Sequence, residues 1–131
     1  PLFMKAIVEG KSPTIFGDGE QTRDFTYVQN AVDANILALF GDAPRAYGKN
    51  FNVACGKTHS INSVFETINK SIHHSLGSKR IIKPIFGEPR SGDIKDSLAD
   101  LSLIRDTLGY EPKISFVDGI NETVSWFLSE N

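Results

Sequence analysis

The chain has 131 residues, of which 40% are hydrophobic and 23% charged, and its formal net charge is −2. This composition predicts one globular domain, and the small net charge argues against a broad electrostatic surface for nucleic acid or an anionic membrane. The sequence has one cysteine, Cys55, and no apolar run approaches the roughly 20 residues that span a bilayer. We therefore expect a reducing, cytoplasmic setting, in which one or two arginines could still hold a small anion.

The sequence begins with a predicted helix followed by a short extended segment. Pro1 suits the first turn of a helix that has one apolar face and runs to Val8, and Gly10 provides its stop. Residues 13–16 favour an edge strand or an irregular strand, because Pro13 has no N–H to give to a ladder. Since the chain starts with Pro and not Met, we expect it to be a piece of a longer protein.

The stretch that follows combines a glycine turn, an arginine and a predicted strand. Gly17 and Gly19 permit positive φ at little cost, and residues 25–28 are aromatic and β-branched, which favours a strand. Arg23 lies between turn and strand, where its planar charged fork could bind phosphate or carboxylate oxygens. Alternatively, Arg23 pairs with a carboxylate such as Glu20 or stacks on an aromatic ring.

Two helices with a strand between them are predicted next. Residues 28–40 have apolar side chains at spacings of three and four, and Asn30 in the first turn is expected to cap this helix or reach back to the loop. Residues 50–54 favour a strand. Ser60 is expected to cap the second helix. The residues on its predicted buried face are Ile61, Val64, Phe65, Ile68 and Ile72.

The last third begins with a short strand and a shaped loop. Residues 81–85 predict a strand near an edge, because Pro84 interrupts the ladder. Residues 87–93 contain two glycines and a proline, which indicates a loop of defined shape. This loop carries a second arginine, Arg90, three residues before Asp93.

Two further helices complete the chain. Asp100 is expected to cap a short helix that ends at Gly109, and a last helix is expected to start near Ser115 or Asp118. Short strands thus alternate with amphipathic helices, which predicts a mixed α and β fold in one domain spanning residues 1–131.

The two loop arginines suggest one anion site if the fold brings them together. Arg23 and Arg90 could clamp a diphosphate from two sides through charge-assisted bonds. Asp93 could then accept hydrogen bonds from a vicinal diol such as a ribose, and Phe16 with the backbone of residues 14–16 could border a flat base. These features imply a nucleotide diphosphate, although spacing alone does not show that the loops converge.

The sequence has no pattern for catalysis or metal binding. Gly17-Asp18-Gly19 is a lone G-x-G without a helix start behind it, so the dinucleotide fingerprint is missing. No tyrosine stands four residues before a lysine, and we find no Ser/His/Asp or zinc arrangement. We therefore predict no catalytic residue and no metal ligand in this chain.

Several motifs, in order along essentially the whole chain, resemble one family. The chain is similar to the C-terminal part of the extended short-chain dehydrogenases/reductases, the NAD-dependent nucleotide-sugar epimerases and dehydratases. The stretches that carry the resemblance are Ile15–Val28, Phe51–Ala54, Pro89–Asp93, Ser97–Asp100, Leu108–Pro112 and Gly119–Phe127.

This resemblance implies a site and a missing half. It implies that Arg23 and Arg90 contact the diphosphate of a UDP-sugar, that Asp93 binds the ribose hydroxyls, and that Ile15 and Phe16 lie along the base. The family's NAD turn and its Tyr/Lys pair belong upstream. We therefore expect this chain alone to be an inactive substrate-binding domain that binds no NAD, taken from an NAD-dependent parent that forms a homodimer.

One position indicates a subfamily. Asn30 stands where the family commonly has an aspartate, and this variant is similar to the UDP-N-acetylglucosamine 4-epimerases of polysaccharide pathways. A 4,6-dehydratase or a decarboxylase stays open within the enzyme class, as does a non-catalytic nucleotide-sugar-binding module outside it. A fragment should also expose apolar surface that faces its missing domain.

Overall fold

A computed structural model describes residues 1–41, 44–78 and 82–130. Helices and short strands alternate along it, which confirms the predicted mixed α and β class. In chain order the elements are α1 (Leu2–Val8), β1 (Thr14–Phe16), β2 (Thr22–Arg23), α2 (Val28–Phe40), a 3₁₀ turn (Pro44–Ala46), β3 (His59–Ser60), α3 (Ile61–Leu76), β4 (Ile85–Gly87), α4 (Ser102–Leu108) and α5 (Phe116–Ser129).

The strands form two small sheets that join distant parts of the chain. β1 pairs with β4 in parallel, with Ile15 opposite Phe86. β2 pairs with β3 in antiparallel register, with Arg23 opposite His59. The N–H of Gly17 continues the first sheet by donating to the Gly87 carbonyl at 2.9 Å. The glycine turn after β1 therefore lies beside the loop after β4.

The helix ends follow the predicted capping residues. Ser60 Oγ accepts a hydrogen bond from the Ser63 N–H at 3.1 Å, and Ser115 Oγ accepts one from Asp118 at 3.2 Å. Asp100 acts one residue earlier than a true N-cap, because Leu101 occupies that position while the Asp100 carboxylate accepts from the N–H and hydroxyl of Ser102. These bonds from Ser102 lower the pKa of Asp100.

Two hydrophobic clusters hold these elements together. The larger cluster is built around α3, which packs against α1 and α5, and its buried members are Met4, Ile7, Ile15, Val64, Phe65, Ile68, Ile72, Ile82 and Val124. The smaller cluster joins α2 to α4, and its buried members are Ala34, Ala54, Leu101, Ile104 and Tyr110. Ile15 belongs to the larger core, so β1 is fixed firmly beside the loops that it supports.

Three strand predictions need correction. Residues 25–28 form no strand: β2 ends at Arg23 and α2 begins at Val28. Residues 50–54 form no strand either, and just beyond them the Cys55 N–H donates to the Asp24 carboxylate instead of a neighbouring strand. The strand predicted at 81–85 instead begins at Ile85, and Ile81 lies outside the described residues.

One apolar face of α2 has no partner among the described residues. Its side chains are Val28, Val32, Ile36, Leu39 and Phe40, each at least 41% exposed. The opposite side packs in the smaller cluster through Ala34 and Leu37, and the polar Asn30 is buried beside them. A helix that is apolar on both sides usually lies between two layers of structure.

Across the described residues, we find no helix long and apolar enough to cross a membrane and no cluster of potential metal ligands.

Candidate functional site

The five side chains predicted from the sequence line one pocket. The pocket is open to solvent and has a volume of about 460 Å³. Residues of α1 and β1 form part of its lining. The predicted residues among its lining are Ile15, Phe16, Arg23, Arg90 and Asp93. Two loops that are far apart in sequence thus meet over the same cavity, as the clamp hypothesis requires.

Arg23 is held at the pocket rim by three acceptors. Its Nη1 donates to the Thr22 carbonyl at 2.7 Å and to the Lys95 carbonyl at 3.5 Å, and its Nη2 donates to Asp93 Oδ1 at 2.5 Å. The alternative in which Arg23 pairs with a carboxylate is therefore realised, with Asp93 as the partner. Glu20, the partner suggested earlier, instead accepts from the Asn62 amide at 2.6 Å.

Arg90 lies across an aromatic ring on the same rim. Its guanidinium carbon is 4.1 Å from the centroid of the Phe16 ring, within the range of a cation–π contact. Phe16 is 39% exposed, so its ring is a platform at the surface rather than a core residue. The Asp93 N–H donates to the Arg90 carbonyl at 3.2 Å, and this turn places both charged side chains toward the cavity.

A short run of backbone contacts explains why Asp93 reaches Arg23. The Thr22 N–H donates to the Lys95 carbonyl at 2.8 Å, and the Ser97 N–H donates to the Thr22 carbonyl at 3.2 Å. The Thr22 hydroxyl also donates to Asp96 Oδ1 at 2.9 Å. The segment after Asp93 therefore runs alongside β2, and these bonds hold the loop beside the arginine.

The chemistry of the pocket suits binding. Two guanidinium groups offer charge-assisted donors to phosphate oxygens, a carboxylate accepts from hydroxyls, and an aromatic ring offers an apolar face. None of its lining residues within the described ranges is a histidine, cysteine, lysine or tyrosine.

Two polar residues outside the pocket lining, Asp24 and Asn30, had structural roles that the sequence did not reveal. The Asp24 carboxylate accepts from the N–H groups of Cys55 at 3.0 Å and Gly56 at 2.9 Å. Since Asp24 directly follows Arg23, this clamp fixes the strand that carries the arginine. An aspartate next to a glycine turn gave no signal of a partner 31 residues away.

Asn30 neither caps α2 nor returns to the loop before it. Its side chain is buried, and Oδ1 accepts from the N–H groups of Lys113 and Ile114, both at 3.0 Å. Its Nδ2 donates to the Ile114 carbonyl at 2.8 Å. An amide inside a predicted helix was the available signal, because asparagine is unfavourable there without a specific bond.

The fold and the pocket place the chain in the extended short-chain dehydrogenase/reductase class, as the resemblance implied. The family model described as GDP-mannose 4,6 dehydratase matches residues 1–123, and the chain belongs to this family. A putative UDP-glucose 4-epimerase of Methanocaldococcus jannaschii is 32% identical over 99% of this chain and 39% of its own length. A UDP-glucuronate 4-epimerase of Thermodesulfobacterium geofontis is 36% identical over 95% of this chain and 36% of its own.

Solved structures of nucleotide-sugar epimerases also match this chain along almost its whole length. The UDP-N-acetylglucosamine 4-epimerase of Methanobrevibacter ruminantium M1, in complex with UDP-N-acetylmuramic acid, is 42% identical with a TM-score of 0.83 and covers 100% of this chain and 39% of its own. The UDP-glucuronic acid 4-epimerase of Bacillus cereus, in complex with UDP-glucuronic acid and NAD, is 28% identical with a TM-score of 0.83 and covers 99% and 39%. The chain thus spans about two-fifths of these proteins.

Proposed function

We propose that this chain is the substrate-binding part of an NAD-dependent nucleotide-sugar 4-epimerase, and that its pocket binds the UDP moiety of UDP-glucose or UDP-N-acetylglucosamine. The observation that carries the proposal is that Arg23 and Arg90, from distant loops, line one pocket with Phe16 and Asp93. In the proposed complex the two arginines bind the diphosphate and Asp93 binds the ribose hydroxyls. Ile15 and Phe16 border the base.

The sugar class is supported by the relatives rather than by the pocket. The M. ruminantium structure contains a UDP-sugar, and a Thermotoga maritima UDP-glucose 4-epimerase that contains UDP-glucose is 34% identical with a TM-score of 0.79. Among the relatives are also a UDP-N-acetyl-α-D-glucosaminuronate decarboxylase and a dTDP-glucose 4,6-dehydratase, each 31% identical. A decarboxylase or dehydratase parent is therefore the second candidate.

We assign NAD binding to a part of the parent protein outside this chain. This assignment is supported by the glycine turn, because Gly17-Asp18-Gly19 leads into β2 and not into a helix N-terminus, where a pyrophosphate would bind. The exposed face of α2 supports a parent with a further domain, because five aligned apolar side chains have no cover in the described chain.

We expect Ile36→Glu to reduce self-association of the isolated chain in analytical ultracentrifugation.

Calorimetric titration with UDP and UDP-N-acetylglucosamine tests the proposal. Each of Arg23→Ala and Arg90→Ala is expected to weaken binding by roughly ten- to a hundred-fold, the value of a charge-assisted hydrogen bond. Arg105→Ala is the matched control, because Arg105 pairs with Glu111 and does not line the pocket. If both pocket variants bind like the control, the arginine clamp is wrong.

An activity assay separates the parent's chemistry from this chain. We expect no 4-epimerisation of UDP-glucose or UDP-N-acetylglucosamine by the 131-residue chain with added NAD. Turnover by this chain would contradict the assignment of the reaction to another part of the parent.

A further inference from the structure

The charged groups at the pocket rim are already paired with each other. Nη2 of Arg23 donates to Asp93, while Nη1 donates to the carbonyls of Thr22 and Lys95. The Arg23 and Asp93 side chains are 29% and 36% exposed, so both end groups reach the solvent of the open pocket. An arriving anion therefore meets an arginine whose Nη2 already donates to a carboxylate.

A bare anion and a nucleotide face different costs at this pair. A phosphate that binds Arg23 through the Nη2 group that now donates to Asp93 must displace that carboxylate, since both accept from the same group. The displaced carboxylate then lies unpaired beside a second negative charge, which is unfavourable. A ligand that also carries a vicinal diol supplies two O–H donors to that carboxylate, so Asp93 exchanges one partner for another.

We infer that Asp93 is a specificity-determining residue with two exclusive partners, the Arg23 guanidinium in the free pocket and the ribose diol in the bound one. This inference rests on the proposed binding of UDP. Its consequence is that Asp93 opposes phosphate-only anions and favours ribonucleotides. The Asp93 carboxylate thus weakens the binding of anions that lack a diol, and it also contacts the ribose of a bound nucleotide.

The substitution Asp93→Asn should change affinity in opposite directions for two probes. Inorganic pyrophosphate is expected to bind the variant about two- to five-fold more tightly than the wild type, the size of an exposed ion pair. UDP is expected to bind it about five-fold more weakly, because an amide accepts from the diol less strongly than a carboxylate. Asp93 lies in an exposed turn, and circular dichroism checks that the fold is kept.

Asp96→Asn is the matched control. Asp96 lies in the same segment and loses the same charge, but its carboxylate accepts from the Thr22 hydroxyl and not from an arginine. The inference is overturned if pyrophosphate gains equally in both variants, if Asp93→Asn shifts both probes in the same direction, or if it does not raise pyrophosphate affinity to a measurable degree. Failure of the wild-type chain to bind UDP would instead overturn the proposed function.

Discussion

Two polar regions of this molecule use their hydrogen bonds in opposite ways. Asn30 is buried and Asp24 is half-buried, and both bond mainly to backbone groups of other segments, which leaves few groups free to change partners. Arg23, Asp93 and Arg90 instead contact one another's loops at an open surface. Polar groups saturated by backbone fix the fold, whereas half-exposed pairs can exchange partners with a ligand. The first region should govern stability and the second should govern binding.

The largest expected effect on stability is at Asn30. Asn30→Ala leaves the N–H groups of Lys113 and Ile114 and the Ile114 carbonyl unsatisfied, and should lower the free energy of unfolding by about 3 kcal/mol. Asn30→Asp, compared at about pH 4 where its carboxyl can be protonated, keeps both accepted bonds and loses at most the two bonds that Nδ2 donates, to the Ile114 carbonyl and to Cys55 Sγ, so its loss should be smaller. Urea denaturation measures both variants, and equal losses would contradict the role assigned to the amide.

The glycine turn that borders the pocket should be almost as sensitive. Gly19 has φ +75°, and a Cβ there would collide with the Asn62 amide. Gly19→Ala should therefore cost about 2 kcal/mol. Gly48→Ala is the control, since Gly48 has φ +70° with nothing within 4 Å of a new Cβ, and should lose about 1 kcal/mol. If thermal unfolding shows similar losses of stability for the two variants, the Asn62 side chain moves away from the new Cβ at little cost.

Substitution of the buried Tyr110 should have a smaller effect on stability, and this effect should depend on pH. Its hydroxyl donates to the Ala54 carbonyl at 3.0 Å, so Tyr110→Phe should cost about 1 kcal/mol near neutral pH. Burial, with a lesser contribution from Cys55 and acidic neighbours, raises the Tyr110 pKa. The folded chain thus keeps the phenol protonated to a higher pH than the unfolded chain does.

The direction of the pH effect follows from that difference in pKa. The stability contributed by protonated Tyr110 is fully present below the ordinary tyrosine pKa of about 10 and is lost as the pH rises through the raised folded-state value. Tyr110→Phe should therefore lose less stability than the wild type between about pH 8 and pH 10.5. Urea denaturation at both values measures this, and an identical alkaline loss would show that Tyr110 does not cause it.

The smallest expected stability effect is in the pocket itself. Arg90→Ala removes only an exposed contact with Phe16, and should change the free energy of unfolding by about 0.5 kcal/mol or less. The same variant is expected to lose most of its UDP affinity, which would separate the two regions cleanly. A loss comparable to that of Asn30→Ala would show that the arginine loop helps to hold the fold.

The sequence predicted helices better than strands, for a physical reason. The capping serines Ser60 and Ser115 and the apolar spacing of α3 are local signals, and they correctly placed both helix starts. The strands are two or three residues long, too short for an alternating pattern, and they form through partners far along the chain. The aromatic and β-branched residues 25–28 therefore predicted a strand where none forms.

The candidate site shows the same division between local and distant information. Glycine turns and loop arginines marked Arg23 and Arg90 as candidates, and the structure places both at one pocket. No local pattern indicated that Arg23 would pair with Asp93, because 70 residues separate them. Nor did α2 reveal which of its two apolar sides would stay uncovered, since that depends on packing.

The parallel pairing of β1 with β4 also determines when the pocket can exist during synthesis. Its floor is near residue 15, but its rim needs Arg90 and Asp93, which must close a loop of about 70 residues. A nascent chain that has emerged only as far as α3 has no complete pocket. Ligand occupancy would therefore report late, long-range assembly, and stabilise only chains that have completed it.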